Sequence, residues 1–432
     1  MYELDPRSAR RIIDSLRNSG QPPKLGASVL NVGTERFLNR LKTDYLEEHC
    51  AMFDGCDGGG SCKWIEADYG NGKTQFLRCV QEVAWTQHFV TAYVELSQDE
   101  CPLDRPDRVF GAVARAIQAR PERAGDVERT RGLDRTLSQL FDARFPGILS
   151  DAEPSEDLVS MGREWITSLR RTPVESKPLL IAAAEYLTAV LDRDEVRADL
   201  ASLFLRGEAV PLPALRELGV FEKLDQSNGF RFLRTMTQII QRAELAAGTV
   251  LLFDEARRTL SLMSSKSKSK ACENLLSVIN RCNSGDLPGT LFLYAVMPEF
   301  FTNFATAYPA LQQRCGPATR INLNSLEGHS EQQLLIEIAR KVTIVYDVAY
   351  DTSMLDKSFI EQNLATVADA ALRETMGTGT RRLLVKSWVE HLDGIRDEIV
   401  QELSDDDGTL LIAGAVDALQ YLEVADVESS GE

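Results

Sequence analysis

A chain of 432 residues is too long for a single compact core, so its length predicts two or three domains. Apolar residues make up 44% and charged residues 26%, as in an ordinary water-soluble protein, and no apolar run is long enough to span a membrane. A net charge of −17 argues against a surface covered with phosphate-binding lysine and arginine, but it permits a local basic patch or a basic protein partner. The polar, acidic N-terminus lacks the apolar core of a signal peptide, and we expect a cytoplasmic protein.

The eight cysteines predict free thiols rather than a metal site. Cys50, Cys56 and Cys62 are evenly spaced beside His49, and this is the observation that would favour zinc. Their spacing is not the C-x₂₋₄-C of zinc sites, however, and residues 54–60 between them are rich in glycine, as in a flexible loop.

The order of the predicted elements indicates an α/β core that is interrupted by helices. Apolar periodicity predicts helices over 6–19, 32–50 and 74–87 and strands over 62–66 and 88–97. A glycine-rich loop is expected at 54–60. From about 104 to 245 the pattern is almost wholly helical. Strands then return at 249–253, 290–296 and 320–323, with helices at 271–282, 327–342, 357–373 and 380–392. This order predicts a parallel sheet, a large helical insertion and a C-terminal group of helices.

Residues 67–74 match a phosphate-binding loop, because they join a predicted strand to a predicted helix and end in Gly-Lys-Thr. The two glycines would let backbone N–H groups face the phosphates. Lys73 would reach the β- and γ-phosphates of ATP, and Thr74 would bind Mg²⁺. Ala67 stands where the usual pattern has its first glycine, a position that needs a small side chain. The alternative is a glycine-rich turn that happens to hold a lysine. The candidate nucleotide-binding residues are Ala67, Asp68, Tyr69, Gly70, Asn71, Gly72, Lys73 and Thr74.

Two adjacent acids follow the apolar strand 249–253. Asp254 would hold Mg²⁺, which prefers carboxylate and water oxygens. Glu255 would orient and polarise the water that attacks the γ-phosphate. The alternative is a strand that ends at the surface in an N-cap for the next helix.

The strand 290–296 is expected between the two strands that carry these motifs, where related ATPases present a polar residue to the γ-phosphate. It ends in Val296-Met297-Pro298, so this sensor is missing or displaced. Tyr294 and Glu299 are the candidate substitutes.

Two arginine groups are candidates for contact with the γ-phosphate. Arg314, in a segment expected to follow a helix and precede the strand 320–323, has the place of an arginine finger that acts on a neighbouring subunit. A solvated surface arginine is the alternative. In residues 377–382, a flexible turn brings Arg381 and Arg382 to the start of a helix. Either arginine would suit a sensor in the same chain, and we favour Arg381.

Residues 264–270 form the only basic low-complexity segment, a run of alternating serine and lysine. We expect a mobile loop there. It would either contact nucleic acid phosphates or simply be solvated.

Four segments together resemble the BrxD-type ATP-binding proteins of BREX anti-phage defence, a branch of the AAA+ ATPases. They are residues 9–17 (ARRIIDSLR), 32–36 (VGTER), 66–74 (EADYGNGKT) and 230–233 (FRFL), the last preceding the strand with the acid pair. The resemblance implies an ATP-binding protein that works beside a helicase or methyltransferase to discriminate or block phage DNA. One departure is Ala256-Arg257-Arg258, where the family pattern has alanine and another acid.

The sequence therefore predicts an AAA+-like P-loop ATPase core with a parallel sheet, a large helical insertion and a C-terminal helical lid. The expected divisions are an N-terminal helical segment 1–53, the core in two parts 54–103 and 246–325, the insertion 104–245, and a lid with an acidic tail 326–432. We expect slow ATP hydrolysis with Mg²⁺, a homo-oligomer, defence-system protein partners, DNA bound directly or through a partner, and no membrane. The alternative is a nucleotide-gated scaffold, or a loader for a partner, with little hydrolysis of its own.

Overall fold

A computed structural model describes residues 4–122, 126–150, 154–255, 263–324, 326, 330–375, 379–400 and 402–416. The strands are β1 (Gly60–Glu66), β2 (Phe89–Glu95), β3 (Ile117–Gln118), β4 (Gly248–Asp254), β5 (Thr290–Val296) and β6 (Arg320–Asn322). The helices are α1 (Pro6–Ser19), α2 (Glu35–Arg40), α3 (Lys73–Thr86), α4 (Pro106–Ala116), α5 (Leu133–Arg144), α6 (Glu156–Leu169), α7 (Lys177–Leu191), α8 (Glu195–Leu205), α9 (Leu212–Glu217), α10 (Gly229–Arg242), α11 (Ser265–Asn283), α12 (Pro309–Arg314), α13 (Glu331–Tyr350), α14 (Ile360–Thr375) and α15 (Thr380–Arg396). Residues 405–416 are also helical.

The chain divides into two compact units. The first unit consists of Met1–Leu38, Ile65–Glu82 and Asn322–Glu432, and the second of Asn39–Trp64 and Val83–Ile321. The five segments predicted from the sequence were defined by motifs, whereas these two units are defined by contacts. The five-segment division stays a prediction.

Most residues of the six-stranded sheet belong to the second unit, and the strand order is β3-β2-β4-β5-β1-β6. β2 pairs with β4 and β4 with β5 in parallel, and β4 and β5 are wholly buried, which explains their unbroken apolar sequences. β5 lies between β4 and β1, as predicted. The predicted parallel sheet is confirmed for β2, β4 and β5, but the sheet is mixed, because β3 pairs with β2 in the antiparallel direction. This two-residue strand directly follows α4 and is too short to show a period of its own.

The helical insertion forms α4 to α10, and the prediction of helices there is confirmed. Aromatic side chains join these helices in the core: Phe232 packs edge-on against Phe110 at 5.6 Å and against Phe204 at 5.8 Å between ring centroids. The buried carboxylate of Asp134 accepts two hydrogen bonds from Arg206, at 2.8 and 2.7 Å, so α5 is tied to the residue that follows α8.

The first unit is a helical bundle in which α1 packs on α13 and α15. The predicted helix 6–19 is confirmed, with Ile12, Ile13 and Leu16 buried as expected. Arg17 anchors this helix, because its guanidinium donates two hydrogen bonds to the carboxylate of Asp393, at 2.7 and 3.0 Å. No helix in the described part of the chain has the length and apolar character needed to cross a bilayer.

Two local predictions need correction. The helix expected over 32–50 begins at Glu35 and continues from Leu41 to His49 as a π-helix. The basic run was predicted as a mobile loop, but it forms the first turns of α11, with the Ser264 hydroxyl as N-cap accepting from the N–H of Ser267 at 3.3 Å. Serine is a preferred residue at the N-cap of a helix. The apolar residues from Ala271 onward form the buried face of α11, and this packing stabilises the helix.

All eight cysteines are free thiols. Cys50 is buried and Cys56 exposed, and burial raises the pKa of the Cys50 thiol to about 12. His49 lies with Nε2 3.0 Å from the carbonyl oxygen of Gly60. Across the described ranges, no three His, Cys, Asp or Glu side chains are grouped as metal ligands.

Candidate functional site

The loop at residues 67–74 lies in the first unit and curves around the side chain of Lys73. Gly70 and Gly72 have φ of +75° and +90°, in the left-handed region that favours glycine, and α3 begins at Lys73. Lys73 is only 7% exposed, and its Nζ donates to the carbonyl oxygens of Ala67 at 2.8 Å and Asp68 at 3.0 Å. The ammonium group is therefore held inside the loop, next to two backbone carbonyl oxygens.

Asn324 fixes one side of the loop, just after β6. Its Oδ1 accepts from the backbone N–H of Asp68 and from Nδ2 of Asn71, both at 3.0 Å. The N–H of Leu323 donates to the carbonyl of Glu66 at 2.9 Å, so this segment is also bound to the residue before the loop. The sequence analysis missed Asn324, which has no motif around it.

The turn before α15 holds the other side of the loop. The N–H of Gly379 donates to the carbonyl oxygen of Tyr69 at 2.9 Å, and Nη1 of Arg382 donates to the Tyr69 hydroxyl at 2.8 Å. A Cβ at Gly70 would lie 2.4 Å from the Cα of Gly379, so the two backbones are in direct contact. Residues 377 and 378 of the predicted turn lie outside the described residues.

The side chain of Arg381, the candidate sensor, binds the backbone of the loop at residues 67–74. The side chain is 9% exposed, and its Nη1 donates to the carbonyl oxygen of Asn71 at 2.8 Å. Nη2 donates to the carbonyl of Leu323 at 3.3 Å, and Nε to the carboxylate of Glu331 at 3.2 Å. The guanidinium thus links the loop, the segment after β6 and the start of α13. Its role as a γ-phosphate sensor stays a prediction.

The helix that follows the loop is anchored to the N-terminal segment by a second contact that the sequence analysis missed. The Glu82 carboxylate is 9% exposed and accepts from the backbone N–H groups of Gly26, Ala27 and Ser28, at 2.5, 2.7 and 3.1 Å. Gln75 donates to the carbonyl of Ala27 at 2.7 Å. These bonds fix the orientation of α3, whose first turn directly follows the loop.

The acid pair lies in the second unit, at the end of β4. Asp254 and Glu255 are 1% and 4% exposed. The Tyr93 hydroxyl of β2 donates to Oδ2 of Asp254 at 2.6 Å, and the N–H of Glu255 donates to the carbonyl of Ala295 at 3.0 Å. Burying two adjacent carboxylates costs free energy unless their charges are paired or bind a metal ion. Tyr93 was also missed, because one polar residue in an apolar strand carries no motif.

The candidate magnesium ligands have side chains of the right chemistry. Asp254 of the second unit supplies a buried carboxylate, and Thr74 of the first unit is half-buried and carries a hydroxyl on the first turn of α3. Mg²⁺ commonly uses one or two protein ligands and completes its octahedron with water and phosphate oxygens. Magnesium binding by these residues stays a prediction.

A family model for the BREX system ATP-binding protein BrxC/D matches residues 4–404. The chain belongs to this family. The resemblance seen in the sequence is thereby confirmed, and the family name indicates nucleotide binding and a role in the BREX defence system. No curated protein and no solved structure matches the chain.

The candidate sensors of this BrxC/D-family chain differ in their surroundings. Tyr294 is a core residue, stacked on Phe253 with 4.7 Å between ring centroids, and burial raises the pKa of its hydroxyl well above the ordinary value. Every residue of β5 is buried, and Tyr294 itself is 3% exposed, which does not favour contact with a γ-phosphate. Tyr294 stays a candidate that the structure does not support. Glu299 is half-buried after the end of β5. Arg314 is exposed at the end of α12, which follows a π-helix and a 3₁₀ turn at residues 300–307 and precedes β6. The predicted order of helix, segment and strand is confirmed, and the role of Arg314 as an arginine finger stays a prediction.

The lysines of the basic run have different environments on α11. Lys266 is exposed in the first turn. Lys268 lies over the ring of Phe304 at 5.4 Å, and Lys270 donates to Oε1 of Gln226 at 3.1 Å. Residues 256–258, where the chain departs from the family pattern, lie outside the described residues.

Proposed function

We propose that this chain is a Mg²⁺-dependent ATPase with an AAA+-like core that couples ATP binding and slow hydrolysis to a BREX defence complex acting on DNA. The observation that carries the proposal is the buried ammonium of Lys73, held 2.8 and 3.0 Å from the carbonyls of Ala67 and Asp68. A buried lysine costs desolvation free energy. In a phosphate-binding loop, that cost is offset when an anionic ligand binds.

The roles in the proposed reaction follow from residue chemistry. The loop and the N-terminus of α3 bind the phosphates, and Lys73 supplies positive charge. Asp254 and Thr74 are the residues that would hold Mg²⁺, and the ion would supply positive charge next to the phosphate oxygens. Glu255 accepts a hydrogen bond from the attacking water and orients it. Strand β5 between β1 and β4, with the acids at the end of β4, supports the AAA+-like assignment.

The proposal includes a homo-oligomer in the cytoplasm. Arg314 is exposed at a helix end, a place from which an arginine finger can reach a neighbouring subunit. The partners would be a helicase or methyltransferase of the same defence system, with DNA bound directly or through that partner. The exposed, basic first turn of α11 supports direct contact with DNA phosphates.

One observation favours a nucleotide-gated scaffold or loader as the second candidate. β5 runs into Met297, which offers no polar group to a γ-phosphate, and Arg381 already donates to Asn71, Leu323 and Glu331. In this alternative, ATP binding locks an assembly and hydrolysis is incidental.

Steady-state ATP hydrolysis tests the proposal, with the wild type and Lys73→Ala compared with and without double-stranded DNA. Lys357→Ala, at an exposed lysine near α14, is the matched control. Turnover that is lost only in Lys73→Ala and rises with DNA supports a DNA-coupled ATPase. ATP binding that Lys73→Ala abolishes, without turnover in the wild type, supports the scaffold. A wild type that neither binds nor hydrolyses ATP refutes both.

A further inference from the structure

The side chain of Asn324 uses one oxygen to hold two separate parts of the phosphate loop. We propose that Asn324 is a positioning residue that fixes the shape of this loop before nucleotide arrives. The inference rests on the proposed nucleotide site and adds to it a residue outside the loop motif. Its basis is the pair of 3.0 Å hydrogen bonds that Oδ1 accepts from the backbone N–H of Asp68 and from Nδ2 of Asn71.

The position of this oxygen is itself well determined. The backbone N–H of Asn324 donates to Oδ1 of Asn322 at 2.8 Å, which closes a local turn after β6. The preceding residue, Leu323, donates its N–H to Glu66 at 2.9 Å and accepts from Arg381 at 3.3 Å. The segment that carries Asn324 is therefore held in place, because Leu323 is bound both to Glu66 and to Arg381.

The two bonds decide which way the loop's polar groups point. The N–H of Asp68 is turned toward Asn324. Asn71 is 8% exposed, and its Nδ2 is directed to Asn324 while its carbonyl oxygen faces Arg381. Oδ1 of Asn71 has no hydrogen-bond partner within the described residues, so the bond to Asn324 is the one that orients this amide. Without Asn324, two partly buried donors would lose their acceptor, and the loop would sample other shapes.

The chemistry of the contact provides a specific test, because Asn324 acts on the loop only as an acceptor. A carboxylate oxygen can accept the same two hydrogen bonds, so Asn324→Asp should keep the loop in place, whereas Asn324→Ala should release it. A residue that touched the nucleotide through its amide N–H₂ would instead lose that contact in both variants, since neither alanine nor an ionised aspartate has such a donor.

Hydrogen–deuterium exchange of the nucleotide-free protein measures the effect directly, in peptides that cover residues 66–72. We expect exchange at the Asp68 amide to be about tenfold faster or more in Asn324→Ala, as for the loss of about one buried hydrogen bond. Asn324→Asp should retain the wild-type rate. Asn274→Ala, which removes one bond to the carbonyl of Leu103 in the second unit, is the matched control and should leave these peptides unchanged. If Asn324→Ala does not fold, Asn324→Ser gives the same test, because serine is too short to reach both donors.

Three results would overturn the inference. They are an unchanged exchange rate in Asn324→Ala, an equally fast rate in Asn324→Asp, and faster exchange that spreads over α13 to α15 rather than staying in the loop. ATP affinity measured on the same proteins adds a separate readout. We expect a loss of about tenfold in Asn324→Ala, and an unchanged affinity there would also contradict the positioning role. Failure of the wild type to bind ATP would instead refute the proposed function and leave the exchange result standing.

Discussion

The guanidinium of Arg381 donates a hydrogen bond of 2.8 Å to the carbonyl oxygen of Asn71. A side chain in the first turn of α15 thus binds the backbone of the loop at residues 67–74. The two residues are 310 positions apart in the sequence. Arg381 is 9% exposed and binds two further acceptors, Leu323 and Glu331. The C-terminal helices of the first unit are thus connected to the loop at residues 67–74.

This contact predicts that Arg381→Ala destabilises the nucleotide-free protein. Three acceptors would lose a charged donor, and we expect the free energy of unfolding to fall by about 1–3 kcal/mol. Thermal unfolding without nucleotide measures the change, with Arg373→Ala, at an exposed position of α14, as the control. Unchanged stability in Arg381→Ala would show that the residue acts on the nucleotide alone.

The assignment of Glu255 predicts that Glu255→Gln separates binding from turnover. Glutamine keeps the size of the side chain but is not a base, so hydrolysis should fall by roughly 10²–10⁴-fold while ATP binding stays within about twofold. Steady-state phosphate release and equilibrium ATP binding measure the two effects. Glu273→Gln, at an exposed site on α11, should alter neither. Full hydrolysis by Glu255→Gln would remove Glu255 from the mechanism.

The close approach of Gly70 and Gly379 predicts that Gly70→Ala is more damaging than its backbone conformation alone requires. Gly70 and Gly55 have nearly equal φ values, +75° and +74°. A Cβ at Gly70 would lie 2.4 Å from the Cα of Gly379, whereas one at Gly55 would meet nothing within 4 Å. Gly55→Ala therefore measures the cost of the left-handed backbone, about 1–2 kcal/mol. Gly70→Ala should lower the melting temperature further and weaken ATP binding, and equal effects of the two variants would argue against the contact.

The basic first turn of α11 predicts that Lys266→Glu weakens any direct binding to DNA. An acid near a helix N-terminus stabilises the helix, so a loss of binding would not come from unfolding of α11. We expect weaker affinity and a smaller salt dependence, by about one phosphate contact. Fluorescence anisotropy with labelled duplex DNA at several salt concentrations measures both. Lys357→Glu is the charge-matched control, and identical behaviour of the two variants would leave only the overall charge as the cause.

The buried His391 predicts a dependence of stability on pH. Burial lowers the pKa of His391 from 6.5 to about 4. The unfolded chain takes up this proton near pH 6.5 and the folded chain only near pH 4. The contribution to stability is therefore complete above pH 6.5 and is lost as the pH falls toward 4, by up to about 1.4 kcal/mol per pH unit.

His391→Gln tests this dependence, because glutamine can still accept a hydrogen bond from Nδ2 of Asn363, which lies 2.9 Å from Nε2 of His391. Urea unfolding between pH 7 and pH 4 should show a shallower loss of stability in the variant. Parallel curves for the two proteins would contradict the role of His391.

Much of the secondary structure could be predicted because its signals are local. The helix 6–19 and the strand 290–296 match the structure residue for residue, since each is defined by the spacing of neighbouring apolar residues. The basic run 264–270 was misjudged for the opposite reason. Its own composition is that of a loop, but the apolar face that begins at Ala271 and the cap at Ser264 make it part of α11.

The sequence by itself determined the family and the type of chemistry that we propose. A strand, a glycine-rich loop ending in Lys73 and Thr74, and an acid pair after a buried strand each depend on adjacent residues, so they are readable without a fold. The tertiary structure decided which side chains hold the loop. Asn324 reaches Asp68 across 256 positions and Arg381 reaches Asn71 across 310, and neither has a local pattern that records its partner. Periodicity reports which face of an element is buried, whereas contacts over such separations follow from how the chain returns to the loop.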